Sequence, residues 1–248
     1  MSRCAAPLTF AMLCCACGGA ELTVLESPEG LEDESVELSL DADESYARAK
    51  VGDDNSIQPV FFIPRDKTLS LAERRTLRRA FRDVVEWYRR ELGTQTLNIA
   101  PFRVVNGAYT AAVYRSSAAP GGIWALAPTE IRTALGFSPW DSGHSAVVFG
   151  VGLLGWAGGD GNGSSGMAVV GVESLLRQGE CFGEWWCSGD MWRGTVIHEM
   201  GHMLTLPHNT HPEGIMFFHG DYTNKRLIEH PYREKTKVKG TVFDIASP

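Results

Sequence analysis

At 248 residues with 44% hydrophobic content, the chain can bury one good-sized core, divided into two lobes at most. Its formal net charge of −7 argues against nucleic acid as the main partner, since phosphate backbones are held by clustered lysine and arginine. Neither a GxxxxGK[ST] phosphate loop nor a GxSxG nucleophile elbow occurs, which removes two common enzyme readings.

Residues 1–17, MSRCAAPLTFAMLCCAC, carry one early arginine, Arg3, and then a short apolar run from Ala5 to Ala16. That is the make-up of an export signal, and it is too short to cross a bilayer as a permanent helix. Its end, Leu13-Cys14-Cys15-Ala16-Cys17-Gly18-Gly19, resembles a bacterial lipoprotein signal, in which a cysteine takes lipid and becomes the new N-terminus. Cys17 is the expected lipidation site. Cys14 stands where that pattern has an aliphatic residue, and Cys15 is a second candidate. An ordinary cleaved secretory signal is the alternative. Both readings send the protein out of the cytoplasm, and the first ties it to a cell-envelope membrane through its lipid.

Residues 18–57 hold Glu21, Glu26, Glu29, Glu32, Asp33, Glu34, Glu37, Asp41, Asp43 and Glu44 with few aromatics. Like charge at this density resists collapse, which predicts a disordered acidic linker, with a blocking propeptide as the alternative. The folded domain is then expected over 58–248. Pro59–Ile63 reads as its first strand. Ser70-Leu71-Ala72-Glu73 is a capping box, opening a helix that runs to Leu92 and stops at Gly93. Leu77, Phe81, Val84, Tyr88 and Leu92 recur at helical spacing as its buried stripe, and Arg74, Arg75, Arg78, Arg82, Arg89 and Arg90 are expected towards water.

Strands are predicted at 96–105, 109–115 and 122–127, a short helix at 129–136 after Pro128, and further strands at 144–154 and 167–172. The glycine-rich stretch 150–166 reads as a surface loop, in which Asp160 and Asn162 are candidate oxygen donors to a structural Ca2+. Cys181 and Cys187 remain once the signal is removed. In an exported protein they are expected to form a disulfide worth about 2–3 kcal/mol, fixing the approach to the next helix.

That helix carries His198-Glu199-Met200-Gly201-His202. Histidines four apart on a helix project from one face a turn apart, so both rings reach a single metal ion. Glu199 is placed to handle a metal-bound water rather than the metal itself. Ser188 and Asp190 are candidate caps for the helix start.

The continuation through Thr205 and His208, and then Pro212-Glu213-Gly214-Ile215-Met216, resembles the HExxHxxGxxH motif and methionine turn of the metzincin zinc peptidases, in their matrixin version. As sequence, the resemblance covers 198–217; elsewhere it is architectural. It implies His198, His202 and His208 as ligands of one Zn2+, Glu199 as the general base that activates its water, and Met216 as an apolar floor. It also implies Phe217 and Phe218 as the wall of the pocket beyond the scissile bond. Met167, Ala168 and Val169 would lie on the edge strand that pairs with substrate backbone. One departure is Thr205, which replaces the motif glycine. A β-branched residue in that left-handed turn costs of order 1–2 kcal/mol. Either Thr205 bears the strain or the turn takes another route, with His211 as the substitute ligand. Where some relatives place a tyrosine two residues past the methionine, this chain has Phe218.

The implied fold is α+β: a twisted, mostly parallel sheet with an antiparallel edge strand, a long backing helix and the zinc helix. An upper lobe would span 58–208 and a small C-terminal lobe 209–248. The implied function is a zinc-dependent endopeptidase hydrolysing peptide bonds of extracytoplasmic proteins. The alternative is a non-catalytic, metal-binding surface lipoprotein that uses the same fold for adhesion or partner binding. No segment resembles the cysteine-bearing propeptide of matrixins.

Overall fold

The computed structural model describes residues 47, 49–92, 95–116, 118, 121–162, 164–177, 188–208, 210–227 and 243–245. The export signal with Cys17, most of the acidic linker, and the expected Cys181–Cys187 disulfide lie outside the described residues.

Strand β1 (Ser56–Pro64) is buried along its whole length and lies inside a five-stranded sheet of order β3-β1-β4-β6-β5. Its partners are β3 (Arg103–Gly107) and β4 (His144–Gly150), both parallel to it. β4 continues in parallel to β6 (Gly166–Gly171), and β5 (Ala157–Gly161) closes the edge antiparallel to β6. Alternation along β1 divides the core. Ile57, Phe61 and Ile63 face one cluster, and Val60 and Phe62 face the other. A strand buried on both faces therefore reads as a near-continuous apolar run, as PVFFI does. The folded part begins before 58: β1 starts at Ser56, and the Ala49 amide already donates to the Ile99 carbonyl at 3.0 Å.

The first cluster is covered by α1 (Leu71–Leu92) and α5 (Gly189–Met203). The capping box forms as its residues dictate: the Ser70 amide donates to the Glu73 carboxylate at 2.7 Å, and the Glu73 amide donates to the Ser70 hydroxyl at 3.3 Å. Leu77, Phe81, Val84 and Tyr88 are buried on the expected stripe. Arg78 departs from expectation. It is buried, with its guanidinium 5.1 Å from the Phe61 ring centre and 5.4 Å from that of Phe102. An arginine stem can cover apolar surface while its planar head stacks on aromatic faces, so helical spacing alone misassigned it.

Two expected strands are helices. Residues 109–115 contain α2 (Ala111–Arg115), whose first amide donates to the Asp66 carboxylate at 2.7 Å, a cap supplied from far along the chain. Residues 122–127 belong to α3 (Gly122–Leu135), which opens on two left-handed glycines, Gly121 and Gly122, and carries Pro128 inside it. α2 and α3 cover the second cluster through Tyr114, Ile123, Ala127 and Ile131. Short α4 (Glu173–Leu176) follows β6, and β2 (Gln95–Leu97) pairs antiparallel with β7 (Phe243–Ile245).

The edge of the sheet also differs from expectation. Met167, Ala168 and Val169 are buried on β6, flanked by β4 and β5, so they cannot form the open edge. The edge is β5, AGGDG, drawn from the stretch read as a surface loop. Its glycines have a steric reason. A β-carbon at Gly159 would overlap the Glu199 carbonyl oxygen, and one at Gly161 would overlap that of Met203, so only glycine lets this strand lie on the backbone of α5. Replacing Gly159 with Ala should therefore push β5 from α5 at a cost of about 1–3 kcal/mol, a fall in Tm of roughly 2–12 °C. Thermal unfolding followed by circular dichroism checks this; an unchanged Tm would contradict the close approach.

Candidate metal centre

Helix α5 opens with the Ser188 hydroxyl accepting from the Met191 amide at 3.0 Å, so Ser188, not Asp190, caps it. The long helix α1 holds it from behind. The Tyr88 hydroxyl donates to the Ile197 carbonyl at 2.7 Å, and Arg193 pairs with Asp83 at 2.8 Å. Inside α5, Gly194 and Gly201 leave room for neighbours: a β-carbon at the first would overlap the His219 carbonyl oxygen, and one at the second the Met216 sulfur. Met216, fully buried, thus packs beneath the helix between the two histidine turns.

The end of α5 settles how Thr205 is accommodated. The Thr205 amide donates to the His202 carbonyl and the Leu206 amide to the Gly201 carbonyl, both at 2.8 Å, and Thr205 has φ +72°. This is a Schellman closure with a threonine in the left-handed position that glycine normally takes. Thr205 bears the strain, and the chain turns as the motif requires.

The turn has a chemical result. Leu206, just past it, presents its carbonyl to His202 Nδ1 at 2.8 Å, and Ile215 presents its carbonyl to His198 Nδ1 at 2.9 Å. A carbonyl only accepts, so Nδ1 carries the hydrogen in both rings and each Nε2 keeps a lone pair. Those two atoms and His208 Nε2 form a triangle with all three sides 3.1 Å. With zinc–nitrogen bonds of about 2.0–2.1 Å, tetrahedral geometry puts ligand nitrogens about 3.3 Å apart, so the triangle fits such an ion. The three side chains form a group that could hold a metal ion, and among the described residues no other histidine, cysteine or acidic cluster does. His211 stands apart, its ring facing the Glu213 amide.

Electrostatics agree with a ligand role. Burial pushes His198 down to about 4, helped by the neighbouring His219, His202 and His208, and burial lowers His202 and His219 too. All are held as neutral imidazole, the form that binds metal. Glu199, buried beside them, is pushed up to about 7 by desolvation. The calcium expectation finds little purchase, because the Asn162 side-chain oxygen is occupied by the Ser164 and Ser165 amides, both at 3.0 Å.

A cavity of about 290 Å3 is lined by Trp156, Val170, Ser174, Met191, Thr195 and His219 among others, and the His219 ring centre lies 5.0 Å from that of His198. Phe217 and Phe218, expected as its wall, are 52% and 41% exposed and do not line it; His219 takes that place. Met191 and Thr195 precede His198 by two turns and one turn on α5, so helical spacing could have found them. His219 carries no such signal.

No family model and no curated protein matches the sequence. Among solved structures, wild-type OgpA from Akkermansia muciniphila is similar at a TM-score of 0.40 and 18% identity, over 66% of this chain and 51% of that one. The chain thus spans about half the length of that protein.

Two outcomes are expected. Thr205→Gly should stabilise the fold by about 0.5–1 kcal/mol, since relief of 1–2 kcal/mol of left-handed strain exceeds the added entropy of the unfolded glycine. Urea unfolding measures this, and a destabilised variant would mean the turn carries no strain. His208→Ala should abolish tight Zn2+ binding in a competitive titration, whereas His211→Ala should leave it unchanged.

Proposed function

We propose that the protein is a zinc-dependent endopeptidase of the metzincin kind, acting on polypeptides outside the cytoplasm and tethered to the cell envelope by lipid on Cys17. The observation that carries the catalytic part is the convergence of three ring nitrogens on one point, two of them fixed by backbone carbonyls, with the buried Glu199 beside them. Three protein ligands leave a tetrahedral ion one open position, the mark of a catalytic rather than a structural site.

Bound at the three histidines, zinc supplies Lewis acidity, polarising the scissile carbonyl and acidifying the attacking water. Glu199 takes a proton from that water as its oxygen adds to the carbonyl carbon, and gives it to the leaving nitrogen as the C–N bond breaks. Burial favours the protonated form of Glu199, which eases its capture of the water proton. The carbonyls of Ile215 and Leu206 keep His198 and His202 oriented throughout.

A polypeptide rather than a small amide is supported by β5. It pairs only with β6 among the described residues and lies directly against α5, so an extended chain can add to its free edge while crossing the histidines. The envelope address rests on residues 1–17. Among the described residues no helix is long and apolar enough to cross a membrane.

The zinc-loaded full chain should cut an unfolded protein such as reduced casein. Glu199→Ala should keep zinc at one to one and lose roughly 10²–10⁴-fold in rate. Equal cleavage by both would place the activity elsewhere, and a parent that binds zinc but cuts no protein would count against the peptidase.

A further inference from the structure

We infer that His219 is a catalytic residue of this centre, donating a hydrogen bond to the oxygen of the carbonyl under attack, a role that presupposes the peptidase proposed above. Its ring centre lies 5.0 Å from that of His198, yet it stands outside the group of three whose ligand atoms share one point. It is beside the metal position without belonging to it. On its other side it lines the 290 Å3 cavity. A substrate with its carbonyl at the three histidines and its next side chain in that cavity must pass this ring.

The ring is held ready. Gly194 lets α5 seat the His219 carbonyl, and Phe218 stacks on the ring at 6.0 Å between centres and 26° between planes. Gly220 makes that stack feasible, since a β-carbon there would meet the Phe218 ring at 2.6 Å. The ring is part of the cavity's own lining, so a substrate in that cavity meets it directly. An imidazole carries at least one N–H in either protonation state, so the role does not depend on its titration.

The chemistry calls for such a donor. When the water oxygen bonds to the carbonyl carbon, the π electrons move onto the carbonyl oxygen, and that charge returns when the C–N bond breaks and the amine leaves with the proton from Glu199. A fixed N–H at the oxygen is worth more in that state than in the ground state. Phe218 fills the position two past the methionine and cannot donate; the next ring along faces the site instead.

The zinc-loaded full chain is compared with His219→Phe and His219→Gln, the second retaining an N–H. Expected for the Phe variant are one zinc per chain, an unchanged Tm, a fall in kcat on casein of roughly 10²-fold with KM little altered, and at least about tenfold weaker binding of a phosphinic tripeptide, a tetrahedral mimic, by calorimetry. The Gln variant should recover part of both. Unchanged kcat and phosphinate affinity in the Phe variant overturn the role, and loss of zinc overturns it by making His219 a ligand. If the parent cuts no protein, the peptidase reading fails, while the phosphinate still decides the contact: equal binding by parent and Phe variant, or none by the parent, overturns it.

Discussion

The site depends on two backbone carbonyls, those of Leu206 and Ile215. Each takes the Nδ1 hydrogen of one helix-borne histidine and so decides where the other nitrogen points. Neither carbonyl belongs to α5. Leu206 is delivered by the left-handed turn at Thr205. Ile215 is delivered by a segment whose own amide donates to the Arg226 carbonyl at 3.0 Å, while the Leu227 amide donates to buried Glu91 at 3.1 Å. Helix α1 therefore acts at a distance: through Glu91 it fixes 226–227, through these Ile215, and through Ile215 the His198 ring.

The arrangement is costly without a cation. Three ring nitrogens face one another at 3.1 Å, at least two of them with lone pairs pointed inwards, and the Glu199 carboxyl group is buried on the same helix. His198 and Glu199 are both buried, so water compensates them poorly. A divalent ion bound there would convert that opposition into attraction, so metal binding would stabilise the fold. The left-handed Thr205 adds a second local cost of the kind that persists where surrounding contacts determine the backbone.

What could be read from the sequence was what depends on neighbours along the chain. The i, i+4 histidines, the Ser70–Glu73 capping box and the α1 stripe follow from helical geometry alone, and the three-histidine cluster could be placed by its resemblance to a known motif. What could not be read depends on distant partners. Residues 111–115 are helical because Asp66 caps them, Arg78 is buried because the Phe61 and Phe102 rings receive it, and AGGDG is a strand because it pairs with β6 where α5 leaves no room for a side chain at Gly159 and Gly161. Intrinsic preference argues against the last of these, and tertiary packing overrides it. His219 escaped for the same reason. Nothing near it in the sequence marks it, and its position comes from Gly194 on another element.

The composition of β5 also bears on how the proposed peptidase would handle its substrate. A long, apolar free edge would bind extended chains tightly, and would do so in the ground state as much as in the transition state, lowering KM without raising kcat. Five residues of which three are glycine, with Asp160 exposed, offer backbone hydrogen bonds but little side-chain contact. In the proposed peptidase, pairing there would set the direction and register of a substrate across the histidines while leaving the product free to depart. Gly159 and Gly161, which packing against α5 demands, thus also leave the edge poor in side-chain contacts, so in the proposed peptidase the strand would guide a polypeptide without retaining it.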